Sequence, residues 1–140
     1  MMRSRNAWLT TAFVLVAIIA LGTSAIVMTA ARATEVKMPS GDATRGAAIY
    51  ESNCIGCHSL DSNRVGPAHR GVFGRKAGSA PGFAYSTGLK KAKFAWDAAR
   101  LDAWLTNPQA YVKGAKMGFR LSDAQRRADV IAYLKRESGK

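Results

Sequence analysis

Three segments of the chain repeat their apolar residues at the spacing of an α-helix. They are residues 42–53, 96–106 and 122–137, and Asp42 and Ser122 are the predicted N-caps of the first and the last. The apolar positions that carry the period are Ala43, Ala47 and Tyr50, then Leu101, Trp104 and Leu105, then Val130, Ile131, Tyr133 and Leu134. This pattern predicts an all-α domain with a helix at each end.

The segments between these helices are long and lack the alternation of a β-strand. Residues 60–88 contain six glycines and two prolines, and Asn107-Pro108 is predicted to end the middle helix before a second loop that runs to Leu121. A compact domain rarely tolerates a loop region of this length without a functional reason. Loops that wrap a large, flat cofactor would supply that reason.

The first 33 residues have the layout of an export signal. Arg3 and Arg5 precede an uncharged stretch, and Ala31-Arg32-Ala33 offers a cleavage site of small residues. The alternative is an uncleaved membrane anchor, because residues 7–28 are long enough to cross a bilayer. Either interpretation places the folded domain outside the cytoplasm, in the periplasm of a bacterium. The predicted organisation is residues 1–33 as signal or anchor, 34–41 as linker and 42–140 as the folded domain.

The chain is strongly basic, with a formal net charge of +12. Three arginines belong to the N-terminal segment, so the part from Thr34 onward carries 18 basic and 9 acidic residues. A surface of this sign attracts acidic partners over long distances. Nucleic acid is not an expected partner, because the sequence has no zinc-ligand set, base-reading basic helix or aromatic ladder.

The strongest chemical signal is Cys54-Ile55-Gly56-Cys57-His58, which contains the only two cysteines of the chain. A Cys-x-x-Cys-His run is the attachment motif of c-type haem. Two thiols at this spacing can each add to one vinyl group of a porphyrin, and the adjoining histidine then lies beneath the iron as the proximal ligand. The motif therefore predicts one covalently bound haem c with its iron.

Three other interpretations fit the two cysteines less well. A thioredoxin-like dithiol requires a strand and a βαβ context, whereas the flanks here are helical. A structural zinc site requires a fourth ligand, and His69 is the only further histidine. A plain disulfide leaves His58 without a role.

The sixth ligand of the iron is predicted to be Met117. The other candidates in the exported part are Met38, His69 and the lysines. Met38 lies in the predicted linker, whereas Met117 lies in a glycine-containing loop between two helices, an unusual place for a methionine that fills a core. Ligation by histidine and methionine also raises the potential of a haem.

The sequence from Asp42 to Lys135 resembles the class I c-type cytochromes, near mitochondrial cytochrome c and bacterial cytochromes c2 and c550. Beyond the haem motif, the resemblance rests on Gly66-Pro67, residues 71–78, residues 80–85, Trp96, Asn107-Pro108, Tyr111, residues 114–119 and residues 127–135. It implies three main helices with haem-wrapping loops, and first and last helices that cross through Gly46 and Tyr50 against Val130, Tyr133 and Leu134.

The resemblance also implies roles around the haem. The carbonyl of Pro67 would accept a hydrogen bond from His58 and fix its orientation. Arg75, Tyr85 and Trp96 would hold a haem propionate, and Phe119 would cover the haem face near Met117.

Four positions depart from the family pattern. Lys113 replaces a usual proline and Ala115 a frequent threonine, both in the loop of Met117. Trp104 replaces a tyrosine near the haem, and His69 replaces an apolar residue two positions after Pro67.

The resemblance implies an electron carrier and not an enzyme. It would shuttle single electrons between respiratory or photosynthetic partners, such as a quinol-oxidising complex, a terminal oxidase or another electron-transfer protein. Lysines around the haem edge would dock it onto acidic sites: Lys76, Lys90, Lys91, Lys113 and Lys116. Two alternatives are a haem enzyme or peroxidase module and a ligand-binding sensor. The enzyme would need a second Cys-x-x-Cys-His motif or a distal acid or base, and the sequence has neither. The sensor would need Met117 to leave the iron easily, which the changes at Lys113 and Ala115 keep open.

Overall fold

The structure is a computed structural model, and it describes residues 37–140. Its helices, in chain order, are α1 (Ala43–Asn53), α2 (Thr87–Lys91), α3 (Ala98–Thr106), α4 (Pro108–Tyr111) and α5 (Ala124–Ser138). The described residues contain one isolated β-bridge, between Lys76 and Ala95, and no β-strand. The three long helices and the all-α class agree with the sequence prediction. The short helices α2 and α4 were not predicted.

A side chain from just outside each long helix satisfies the free N–H groups at its start. Asp42 accepts hydrogen bonds from the N–H groups of Thr44 and Arg45 at α1, as predicted. At α5 the N-cap is Asp123, which accepts from Arg126, so the prediction of Ser122 was wrong by one residue. The main-chain carbonyl of Ser122 instead accepts a hydrogen bond from the Arg127 side chain at 2.7 Å.

Helices α1 and α5 cross in close contact at Gly46. A Cβ added to Gly46 would overlap the Asp129 carbonyl group, lying 2.6 Å from its carbon, and would come within 2.9 Å of the Tyr133 Cβ. Beside this point the rings of Tyr50 and Tyr133 pack with their centroids 5.1 Å apart. The predicted crossing of the first and last helices is confirmed, and it depends on a residue without a side chain.

Asp129 ties the beginning of α1 to α5 through a buried carboxylate. This carboxylate accepts hydrogen bonds from the Asp42 N–H at 2.7 Å and from the Arg45 guanidinium at 2.8 and 2.9 Å. Gln125 donates a further hydrogen bond at 3.0 Å. The bonds from Arg45, from the Asp42 N–H and from Gln125 lower the pKa of Asp129 to about 2 against the cost of burial.

Replacing Asp129 by asparagine is expected to lower the free energy of unfolding at pH 7 by about 2 kcal/mol. This is the free energy that corresponds to a folded-state pKa nearly two units below the usual value. The folded-state pKa lies below the unfolded value, so this contribution is present above about pH 4 and disappears as the pH falls towards 2. Urea unfolding of both proteins at pH 7 and pH 2.5 measures the difference.

The matched control is Asp97→Asn. Asp97 caps α3 and pairs with Arg100 at an exposed surface, and asparagine preserves the cap. The control is expected to lose less than about 0.5 kcal/mol. An equal loss in both variants, or a loss for Asp129→Asn that persists unchanged at pH 2.5, would contradict this account.

The long loops are fixed to the helical frame by main-chain hydrogen bonds. The N–H of Gly74 donates to the Trp96 carbonyl at 2.6 Å, and the N–H of Trp96 donates to the Arg75 carbonyl at 2.9 Å. Ala77 donates to Phe94 in the same way at 2.9 Å. The loop that follows the cysteine motif is therefore held against the chain that leads into α3.

The N-terminal signal or anchor predicted for residues 1–33 lies outside the described residues. Within residues 37–140, no helix has the length and apolar character needed to cross a membrane.

The described part of the predicted linker packs on the domain. Met38 packs against the core, and a Cβ on Gly41 would meet the backbone of Ala128. The described part of the predicted linker therefore lies on α5.

Candidate haem site

A cavity of about 560 Å³ lies at the centre of the core. Its walls include buried apolar side chains from three helices and the first long loop: Tyr50, Val72, Leu101, Trp104, Leu105, Val130 and Leu134. All nine residues predicted to bind the cofactor also line it: Cys54, Cys57, His58, Pro67, Arg75, Tyr85, Trp96, Met117 and Phe119. The structure thus brings together side chains that lie up to 65 positions apart in the sequence.

The two cysteines and His58 follow directly from the end of α1. The N–H groups of Cys57 and His58 both donate to the Cys54 carbonyl, at 3.1 and 2.9 Å, and this turn directs the motif towards the cavity. Both thiols are free. Burial raises the pKa of the Cys54 thiol to about 11, with a smaller contribution from Cys57, so this thiol is protonated at neutral pH.

The His58 ring is oriented by the loop that follows it. Its Nδ1 lies 2.9 Å from the Pro67 carbonyl oxygen, which can only accept, so the proton is on Nδ1 and Nε2 keeps a free lone pair. Burial lowers the pKa of His58 and outweighs the opposing effect of this hydrogen bond. A neutral imidazole with a free Nε2 is the form that binds a metal.

Arg75, Tyr85 and Trp96 bring hydrogen-bond donors to the cavity wall. The guanidinium of Arg75 donates to the carbonyls of Ala68 at 2.7 Å and Arg70 at 3.1 Å, which fixes its position. The Tyr85 oxygen accepts from the Ala80 N–H at 3.2 Å, and its own proton stays available. Donors held in this way suit a carboxylate that would otherwise be buried without partners.

Met117 reaches the cavity from the loop between α4 and α5. Gly114 takes a φ of +79°, a conformation that favours glycine, and the Ala115 N–H donates to the Val112 carbonyl at 3.0 Å. Farther along, the Leu121 N–H donates to the Leu105 carbonyl at 2.8 Å. Phe119 lines the same cavity with 37% of its surface exposed, so it lies at the rim.

Several lining residues were predicted only as core or left without a role. Leu105, Val130 and Leu134 were identified by helical periodicity, which indicates that a side chain is buried but not which group it contacts. His69 also lines the cavity, and its ring stacks on the His58 ring with centroids 4.0 Å apart. Burial, with the charges of His58 and Arg75, places the pKa of His69 well below its usual value.

These residues fit a covalently held haem. The apolar walls match a porphyrin, the thiols match its vinyl groups, and the Nε2 of His58 and the sulfur of Met117 are ligands that haem iron accepts. The zinc alternative finds no support within residues 37–140, where no cluster of three or more histidine, cysteine or acidic residues could hold a metal ion.

Comparisons with known proteins agree with this chemistry. The family model for cytochrome c matches residues 43–137. Cytochrome c of Euglena viridis is 45% identical over 68% of this chain and 96% of its own length. Cytochrome c of Tetrahymena pyriformis is 44% identical over 72% of this chain and 94% of its own length.

A solved structure shows the same fold. Cytochrome cH from Methylobacterium extorquens superposes with a TM-score of 0.65 at 44% sequence identity, covering 69% of this chain and 99% of its own. The chain therefore belongs to the cytochrome c family, electron carriers that bind haem c covalently.

Proposed function

We propose that this chain is a monohaem carrier whose iron is ligated by His58 and Met117, and that it shuttles single electrons between respiratory or photosynthetic redox partners. Haem c, when bound, supplies one electron at a time through the ferrous and ferric states of its iron. The protein holds that group, keeps water from it and presents it to partners. The observation that carries the proposal is the meeting of both cysteines, His58 and Met117 at one apolar cavity.

The proximal role of His58 is supported by its hydrogen bond to Pro67. This bond assigns the proton to Nδ1 and leaves Nε2 as the ligand atom. Gly66 supports the same geometry, because a Cβ at that position would lie 2.6 Å from Nε2 and displace the ring. Cys54 and Cys57 would form the two thioether bonds, each thiol adding across one vinyl group of the haem.

The role of Met117 as the sixth ligand is supported by its place in the cavity wall and by its loop. Ala115, the residue that replaces a frequent threonine, is buried and holds the loop through its main-chain N–H. Arg75, Tyr85 and Trp96 would bind a haem propionate through their side-chain donors, and Phe119 would shield the rim beside Met117.

Replacing Met117 by alanine is expected to abolish the weak red absorption band of methionine-ligated ferric haem while the haem stays covalently attached. The potential is also expected to fall, because methionine favours the ferrous state relative to weaker-field replacements such as water. Visible spectra of the purified ferric and ferrous proteins measure both the band and the attachment.

The matched control is Met38→Ala. Met38 packs against the core but does not line the cavity, so this variant is expected to keep the red band. A band that survives in Met117→Ala would assign the sixth ligand to another residue. Rapid binding of carbon monoxide to the ferrous wild type would instead favour the ligand-binding sensor.

The proposed partners are membrane redox complexes with acidic docking sites, such as a quinol-oxidising complex or a terminal oxidase, or other electron-transfer proteins. The five lysines proposed for docking are all exposed: Lys76, Lys90, Lys91, Lys113 and Lys116. None of them pairs with a carboxylate among residues 37–140, so their charge is free to steer an acidic surface.

The proposed location is the periplasm. It rests on the sequence of residues 1–33, which act as a cleaved signal or as a tether through residues 7–28. Mass spectrometry of the mature protein distinguishes the two, since cleavage after Ala33 removes the whole segment.

A further inference from the structure

The ring of His58 is enclosed by more than its bond to Pro67. Gly66 lies against it so closely that no Cβ fits there. His69 lies nearly parallel to it, with ring centroids 4.0 Å apart and an angle of 19° between the planes. A stacked imidazole limits how far the His58 ring can rotate, because any large rotation would drive one ring into the other.

His69 itself is held by its backbone. Its N–H donates to the Ser59 carbonyl at 2.9 Å, and its carbonyl accepts from the Val72 N–H at 2.9 Å. These two bonds place the Cα of His69 between the segment that follows the haem motif and the segment that precedes Arg75. The main chain that carries the His69 ring is therefore held in place.

Tyr50 also contacts the ring of His69. The Tyr50 hydroxyl lies 3.2 Å from Nδ1 of His69, and the two rings meet edge to face with centroids 5.6 Å apart. Tyr50 is only 3% exposed and packs on Tyr133, at the crossing of α1 and α5. A continuous line of contacts thus runs from the helix crossing through Tyr50 and His69 to His58.

We propose that His69 is a positioning residue that, held by Tyr50, sets the rotation of the His58 imidazole plane. The proposal rests on the function proposed above, in which His58 is the proximal ligand. Neither the haem motif nor the Pro67 hydrogen bond requires an aromatic residue at position 69. This role requires a ring that stacks on His58, and an apolar side chain of similar size without a ring would not fulfil it.

The plane of an axial imidazole controls how the unpaired electron of a ferric low-spin haem is shared among the four pyrrole rings. The haem methyl groups report that distribution as strongly shifted proton resonances. Their order and spread in a proton NMR spectrum therefore respond to the orientation of the axial ligands, and a change produced by a substitution beside His58 reports its imidazole plane.

The experiment compares the ferric full-length protein, with haem attached, in wild type, His69→Leu and His69→Phe. Leucine fills space without a ring, and phenylalanine restores a ring that can stack. The proposal predicts a changed order or spread of the methyl resonances in His69→Leu and a pattern near that of wild type in His69→Phe. Wild-type order and spread in His69→Leu would overturn it.

Tyrosine variants keep the proposal testable if His69→Leu fails to bind haem. Tyr50→Phe removes only the hydroxyl near His69 and is expected to shift the methyl pattern. Tyr133→Phe removes a neighbouring hydroxyl that takes no part in that contact and is expected to leave the pattern unchanged. Identical patterns in Tyr50→Phe, Tyr133→Phe and wild type would overturn the proposal.

Failure of the underlying function has a different signature. If His58 were not the ligand, His58→Ala with haem attached would keep the low-spin ferric spectrum and the methyl resonances of the wild type. If only the role of His69 were wrong, His58→Ala would lose that spectrum, and the variants at positions 69 and 50 would reproduce the wild-type pattern.

Discussion

Replacing Cys54 and Cys57 together by alanine is expected to give a chain without covalent haem that has lost most of its tertiary structure. The cavity these cysteines border measures about 560 Å³ and is lined by much of the core. Without haem, the buried apolar side chains that line this cavity lose their burial at roughly 2 kcal/mol each, or on the order of 10 kcal/mol together. That cost is comparable to the whole stability of an ordinary domain, about 5–15 kcal/mol.

The measurements are the intact mass, which reports covalent haem, and far- and near-ultraviolet circular dichroism. Ile55→Ala is the matched control, because Ile55 lies between the two cysteines and is 44% exposed. The control is expected to bind haem and to fold. A double cysteine variant that lacks haem yet unfolds cooperatively with native circular dichroism would show that the fold does not depend on the cofactor.

Replacing Gly46 by alanine is expected to lower the free energy of unfolding by about 3 kcal/mol, the upper range for overpacking. The added methyl would overlap the main-chain carbonyl of Asp129, which cannot rotate away as a side chain could. Helices α1 and α5 would have to separate, and the contacts of Tyr50 and Asp129 across the crossing would weaken. For a domain of this size the expected fall in Tm is about 15 °C.

Thermal and urea unfolding of the holoprotein measure this loss. Ala48→Ser is the matched control, since it also adds one heavy atom to α1 but at an exposed position. The control is expected to change the stability by no more than about 0.5 kcal/mol. A loss below about 1 kcal/mol for Gly46→Ala would mean that the helices are not in the tight contact described here.

The sequence predicted the features that depend on local pattern. Apolar periodicity located α1, α3 and α5, because each is long enough to repeat its buried face more than once. The haem motif predicted the cofactor from five consecutive residues, and the comparisons confirm it for the family. Helices α2 and α4 escaped prediction because five and four residues hold too little periodic signal.

The features that escaped prediction depend on contacts between distant residues. In the sequence, Asp129 resembles any charged residue on the exposed face of an amphipathic helix. In the structure it is buried, because Arg45, 84 positions away, pairs with it. The contact of His69 with Tyr50 spans 19 positions, and its stacking on His58 needs the turn that the intervening loop makes. A periodic pattern does not locate the start of a helix to within one residue, so it could not distinguish Ser122 from Asp123 as the N-cap of α5.

The most direct test of an electron carrier is a spectroelectrochemical titration of the purified full-length protein with its haem attached. Visible absorption is followed as the applied potential is lowered and then raised again. The account predicts one covalently bound haem that is reduced and reoxidised in a single, fully reversible one-electron step with unchanged end spectra. A protein without haem, or one whose spectrum changes irreversibly or requires more than one electron, would contradict it.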